Sequence, residues 1–397
     1  MKNFIITAVA IFTFLLPANA LGQDAWESDG YLLRILTEEP AGVEITGYCG
    51  NDSKLTIPDK FRKDGISYPV WSIGRQAFYY KRDLQEVILP EGLRHIGEMA
   101  FTGCHNLAVM VLPGTLVSID PFAFTETGLR TAVVPDGVGT LDFAAFLNSK
   151  NLRTLVLGKG MTDICYAALG KLPGLKELYV LSPEIPNIKK GAVPFCDAGC
   201  PDAAVYVPGE LQPRYPVRPE NSRNIKSSMT HDFEEGWAYF HDYRTVPDLF
   251  TVLYKEDYSV EAGESLQVLY ETINYGGVTV YSTEWVCDDT DVASVQDGCI
   301  TGNGGGVTKG RMKVITNKGT FVSPDFDIAV TAPDVVDSPR NAPSGAHGSG
   351  MSLIRNGEGT AEIYSLDGMY LGDGTENLAP GIYVEKTGEE SRKFVVK

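Results

Sequence analysis

From residue 84 onward the hydrophobic positions repeat. Leucine returns at Leu84, Leu107, Leu129, Leu152 and Leu175, in steps of 23, 22, 23 and 23 residues. Each opens a run that is apolar at its first, fourth and sixth positions, as in Leu84-Gln-Glu-Val-Ile-Leu89 and Leu152-Arg-Thr-Leu-Val-Leu157. Pro90, Pro113 and Pro135 follow three of these runs and end them, because proline cannot donate to a strand ladder. A second apolar set keeps the same period at Ile73, Ile96, Ile119, Leu141 and Ile164. It is followed each time by an alanine and a large apolar residue: Ala77-Phe78, Ala100-Phe101, Ala123-Phe124, Ala145-Phe146 and Ala168-Leu169. Two apolar columns at one period predict a solenoid. No unit can bury its leucine and phenylalanine columns alone, so each needs its neighbours.

The full unit, Leu-x-x-Ile/Val-x-Leu-Pro-x-x-Leu-x-x-Ile-x-x-x-Ala-Phe-x-x-Cys-x-x-Leu, is complete between Leu84 and Leu107. It resembles the BspA-like, or treponemal-type, leucine-rich repeat, over about residues 43–246. Val205-Tyr-Val-Pro208, Tyr215, Trp237 and Phe240 resemble that family's end cap. The solenoid with its cap is placed at 21–246. A 32-residue step from Pro58 to Pro90 departs from the period and predicts an insertion or an atypical first coil. Cys104 stands at the family's recurrent cysteine and reads as a buried thiol in a core column.

In each strand the residues on either side of the middle apolar position should face the open, concave side. They are Glu86 and Ile88, Val109 and Val111, Thr131 and Val133, Thr154 and Val156, Glu177 and Tyr179. The second members form an apolar stripe on a face expected to be exposed. Either β-branched residues are there because they favour strands, or the stripe is a binding surface, since contiguous exposed apolar patches mark contact sites. These ten residues are the best candidate site in the chain.

Past residue 246 the period stops and alternating β patterns begin, bounded by Gly and Asp turns. Trp285-Val-Cys-Asp-Asp-Thr-Asp-Val-Ala-Ser-Val295 and Gly298-Cys-Ile-Thr-Gly302 resemble the bacterial Ig-like domain of group 2, which implies a β-sandwich over 247–331 with Trp285 in its core. Residues 332–350, rich in Pro, Ser, Gly and Ala, read as a linker. Strand patterns at 361–368, 378–384 and 393–397 give 351–397 as a small β module that resembles the C-terminal sorting domain of type IX secretion substrates. The fold class is therefore mainly β: a leucine-rich solenoid with a parallel strand ladder, a sandwich and a β tail.

Composition narrows the function. A net charge of −17, with no Lys/Arg cluster longer than two, argues against nucleic acid and anionic membranes, both of which select basic patches. Lys2, an apolar run over 4–16, Pro17 and Ala18-Asn19-Ala20 read as a secretory signal peptide over 1–20. Its 13 residues would extend about 20 Å, short of the ~30 Å a spanning helix must cross. The mature chain is thus expected to carry no transmembrane segment and to work at the cell surface, outside the cell or in the periplasm.

Seven cysteines in an exported chain leave at least one unpaired, and spacing nominates Cys196 with Cys200 and Cys287 with Cys299 as disulfides. A zinc site at 196–200 lacks a second ligand pair. Asp288-Asp289-Thr290-Asp291 lacks the glycine and distal glutamate of a calcium loop. Gly304-Gly-Gly306 lacks the Lys-Ser/Thr of a phosphate loop. His231 and His241 read as surface or packing residues of the cap. No metal, cofactor or catalytic set is expected. The leading expectation is a non-enzymatic exported protein that binds a protein or glycan ligand, host-derived ligands included, for adhesion. The alternatives are a structural or assembly surface protein without a specific ligand, and a glycan-processing accessory.

Overall fold

The computed structural model describes residues 25–331, except 38–40, 189–194, 196–199, 201, 216–236, 238–239 and 241, and the backbone of four strands between 362 and 396. Residues 1–20, read above as a signal peptide, Cys196, His231, His241 and residues 332–350, read above as a linker, lie outside the described residues. No α-helix occurs among them.

The predicted coils are present. The strands Glu86–Ile88, Val109–Val111, Thr131–Val134, Thr154–Leu157 and Glu177–Val180 each begin two residues after their leucine and form the lane expected to be the concave side. Their register is strict: Thr131, Thr154 and Glu177 align, as do Val133, Val156 and Tyr179. Lys54–Thr56 adds a strand before Glu86–Ile88, and Ala204–Val207 and Asp242–Thr245 add two beyond Glu177–Val180. This lane is two ladders, one of three strands and one of five. The break lies between Val109–Val111 and Thr131–Val134, at the one 22-residue step. A second lane of two-residue strands, such as His95–Ile96 and Ser118–Ile119, runs along the adjoining face.

The turns that close each coil make a further ladder. Gln76, Phe78 and Tyr80 donate backbone N–H to the carbonyls of Glu98, Ala100 and Thr102, and Met99, Phe101 and Gly103 do the same to Pro121, Ala123 and Thr125. This pairing holds two left-handed residues per turn: Gln76, Met99, Phe122, Ala144 and Ala167 at one position, and Tyr80, Gly103, Glu126, Asn148 and Lys171 at the other. A left-handed non-glycine residue costs roughly 1–2 kcal/mol, which the hydrogen bonds from neighbouring coils offset. Inside, Phe78, Phe101, Phe124 and Phe146 form a stacked column with centroids 5.0, 5.8 and 5.2 Å apart. Cys104, also buried, donates its S–H to the Phe78 carbonyl, and burial pushes its thiol up to about 12.

The 32-residue step is an inserted hairpin. Lys60–Lys63 pairs antiparallel with Ile66–Ile73 across an Asp64-Gly65 turn, both residues at positive φ. Ahead of it, Ala25–Ser28, Tyr31–Leu36 and Gly42–Tyr48 form an antiparallel meander that closes the N-terminal end of the core. At the other end Phe195, Tyr215, Trp237, Phe240 and Tyr243 pack together, and Trp237 donates its indole N–H to the Pro186 carbonyl at 3.0 Å.

Only residues 246–248 separate the last solenoid strand from Leu249–Leu253, the first strand of a second β module. This strand pairs with Tyr270–Asn274. Behind them a five-stranded sheet built on Gly306–Thr316 packs against a three-stranded sheet, with Tyr258, Ala293, Ile300, Phe326 and Ile328 between. Trp285 is half-buried there, its ring 5.2 Å from Tyr270 and 6.3 Å from Phe326. Cys287 and Cys299 are separate thiols, correcting the nominated bridge. Cys287 pairs with Gly310 in one sheet and Cys299 with Gln296 and Gln267 in the other, and neither sulfur is bonded to the other despite their nearness in sequence.

The tail, taken by itself, is a four-stranded antiparallel sheet in the order Tyr370–Gly372, Glu362–Ser365, Gly381–Thr387, Glu390–Val396. The short strand at 370–372 lies outside the three predicted segments.

Candidate functional site

The concave strand face does what the repeat predicts for its backbone and something else with its side chains. Glu86, Ile88, Val111, Thr154 and Glu177 are half-buried, while Val109, Thr131, Val133, Val156 and Tyr179 are buried. The stripe is therefore not the open surface expected of it. Val109, Val133, Val156, Tyr179 and Leu181 belong to one apolar cluster with Val246 of the connecting segment and Val252 and Tyr254 of the second module, and Phe250, Leu269, Ile273 and Tyr275 pack at its edge. The physical reason is area. An apolar column several coils long is worth roughly 25 cal/mol for each Å² removed from water, and the strand Leu249–Leu253 offers apolar residues in alternation to cover it.

The seam is specific as well as apolar. Tyr179 stacks on Phe250 at 4.3 Å and on Tyr206 at 4.4 Å. The Thr131 hydroxyl donates to the Leu253 carbonyl at 3.0 Å. Arg130 and Arg153 reach Asp257 and Glu256 at 3.2 and 3.0 Å across the rim. One carboxyl is enclosed: Glu271 accepts the Tyr254 hydroxyl at 2.7 Å. Burial and, further out, Asp136 of the solenoid hold its pKa above the usual carboxylate range, against the lowering effect of that hydrogen bond.

What the solenoid leaves open is its turn face. Phe143 and Tyr166 are 39% and 43% exposed, in stacked contact at 5.3 Å, and Phe122 meets Phe143 at 5.1 Å. Under this row burial, then the neighbouring Asp142, raises the pKa of Asp120. At the N-terminal end of the same face Tyr79 and Tyr80 are 44% and 41% exposed. None of these aromatics is needed by the interior, which the Phe78–Phe146 column already fills. The repeat pattern does not contain them because they vary from coil to coil; the signal for Phe143 and Tyr166 is a large aromatic residue at the turn position where earlier coils place Arg75, Glu98 and Pro121.

Residues 71–197 match the family described as the BspA type leucine rich repeat region, in six copies. Among solved structures, the chain is similar to the leucine-rich repeat protein of T. pallidum, with 28% identity over 39% of this chain and 70% of that one, at a TM-score of 0.36. It is also similar to a leucine rich cell surface protein of Faecalibacterium prausnitzii, with 20% identity over 46% and 54% of the two chains and a TM-score of 0.31. The pneumococcal vaccine antigen PcpA aligns at 18% identity over 56% and 48%, with a TM-score of 0.40. The chain thus spans about half the length of the last two. No curated protein matches the sequence.

Proposed function

We propose that the protein is an exported, surface-displayed or released binding protein of adhesion type, whose solenoid and second module act as one recognition body toward a protein or glycan ligand. The carrying observation is the set of exposed aromatic residues on the solenoid's turn face. Exposed tyrosine and phenylalanine carry large contact area at low conformational cost and are the residues that contact sites retain. The BspA-type repeat over 71–197 supports the reading, and the leader pattern at 1–20 supports export. The role is non-catalytic. Binding of the purified full chain to immobilised glycans and extracellular-matrix proteins tests it. Saturable binding to at least one is expected, and its absence on every surface overturns the reading.

A second reading, a structural or assembly protein, is favoured by one observation: the concave stripe, the expected ligand surface, is consumed within the chain. The same measurement separates the two.

A further inference from the structure

At the first coil the flank of the solenoid opens into a cleft of about 300 Å³ between the 50–52 loop and the 79–84 turn. That volume is at the lower end for small-molecule sites. Tyr79 and Tyr80 stand at its mouth with rings 4.6 Å apart and nearly perpendicular. Its floor is braced: Lys81 donates to the Gly50 carbonyl at 2.9 Å and lies 5.5 Å over the Tyr48 ring, and the Tyr48 hydroxyl donates to the Asp52 carboxylate.

Tyr80 is the aromatic member of its turn column. It holds a φ of +54° at the position where the other coils have Gly103, Glu126, Asn148 and Lys171, of which glycine and asparagine adopt this conformation more readily than a bulky residue. The next coil makes room for it, since a Cβ on Gly103 would lie 2.9 Å from the Tyr80 ring. The Arg82 guanidinium sits 5.5 Å over that ring and His105 meets its edge at 6.0 Å. The Tyr80 ring is thus held in place while it stays 41% exposed. His105 leads into a second depression of about 280 Å³, with Glu126, Asn148 and Lys150 in its wall. The Asn148 amide donates to Glu126 at 3.1 Å. The two depressions thus follow each other across successive coils.

Charge selects the ligand class. The chain carries −17 overall, yet the first cleft balances Lys81 and Arg82 against Asp52 and Asp83, and the second balances Lys150 against Glu126. A locally neutral site with exposed carboxylate, amide and guanidinium groups offers hydrogen bonds of both senses and no net attraction for an ion. Tyrosine edges and faces supply the apolar component. A sugar ring has matching chemistry: an apolar C–H face and a belt of hydroxyls that donate and accept. A protein partner would instead need a dry apolar centre within roughly 800 Å² per side, and this flank is polar between its tyrosines.

We infer that the turn flank running from Tyr79 and Tyr80 past His105 to Asn148 is a binding site for an uncharged oligosaccharide laid across the coils. The inference rests on the binding-protein reading above and names the ligand class for part of the same turn face.

The test is calorimetric titration of the full chain with hexasaccharides of β-1,4-glucose, α-1,4-glucose, β-1,3-glucose and β-1,4-N-acetylglucosamine, with sialyllactose and a heparin hexasaccharide as charged comparators. At least one neutral hexamer is expected to bind, and more tightly than either charged sugar. Tyr79→Ala is expected to weaken it at least tenfold with unchanged thermal unfolding. Tyr80→Asn, which relieves the left-handed strain, is expected to weaken binding while raising thermal stability slightly. Three results overturn the inference: no neutral sugar binds, the charged sugars bind as well, or Tyr79→Ala binds like the wild type. If no sugar binds but a matrix protein does, the inference falls and the binding-protein reading stands. If nothing binds, both fall.

Discussion

The phenylalanine column and the concave valine column repeat at the same period on the same coils, and they are closed by different partners. Phe78, Phe101, Phe124 and Phe146 stack on one another, so each coil completes the burial of the last. Val133, Val156 and Tyr179 line up with equal regularity but are covered by Phe250, Val252 and Tyr254 of the second module. The first column is a property of stacking and grows with each coil. The second is an interface, whose length is limited by the strand that covers it. An apolar period therefore shows that a column must be covered without showing by what.

The largest effect separates the columns directly. Phe124→Ala removes a fully buried ring from the stack, and a loss of about 3–5 kcal/mol is expected in denaturant unfolding, because the stack has no alternative arrangement. Val156→Asp, at a position with 0% exposure, places a carboxylate in the seam. Here the molecule has an escape, since the module can lift off and hydrate the charge, so the global cost is capped at the docking energy. Rapid proteolysis within 246–248 with the solenoid's own unfolding little changed is the expected result. A loss as large as that of Phe124→Ala would show that the two columns are one cooperative unit.

A smaller effect comes from Glu271. Its pKa is raised in the closed seam, chiefly by burial. Docking is therefore fully supported below the ordinary carboxylate pKa near 4.5 and loses that contribution as pH rises through the raised value. Protection of 246–248 from protease should fall across that window in the wild type and stay flat in Glu271→Gln. An unchanged slope in the variant would remove Glu271 as the cause.

Thr131→Val, which deletes the bond to the Leu253 carbonyl, is expected to cost about 1 kcal/mol of docking stability. The least is expected of Arg153→Ala. Its ion pair with Glu256 is solvent-exposed on both sides, and such pairs are worth about 0–1 kcal/mol.

Much of this architecture was legible because the period acts on backbone and core together. The leucine positions locate every concave strand from Glu86 to Val180, and the Ala-Phe pairs locate the inner column. The inserted hairpin announced itself only as a broken step, although Asp64-Gly65 is a recognised two-residue hairpin turn and carried more than the spacing did. The concave stripe was misread as open because repeat patterning describes a coil's relation to its neighbours and is silent about a later segment folding back. The clue lay in Phe250-Thr-Val252-Leu-Tyr254, an alternating apolar strand placed where the repeat ends. Cys287 and Cys299 show the limit of spacing alone: the eleven residues between them carry the chain from one sheet to the other, and a short separation in sequence does not by itself set two sulfurs in bonding geometry. The turn-face aromatics were missed because a search for recurrence overlooks residues that differ between coils.

The brevity of the 246–248 tether changes what competition for the concave face would mean. Two surfaces joined by so few residues meet at an effective concentration on the millimolar scale or above, so even modest docking keeps the face shut almost all the time. A soluble rival would have to match that local concentration before it gained a foothold, whereas a mechanical pull on the chain beyond residue 248 would act on the tether itself.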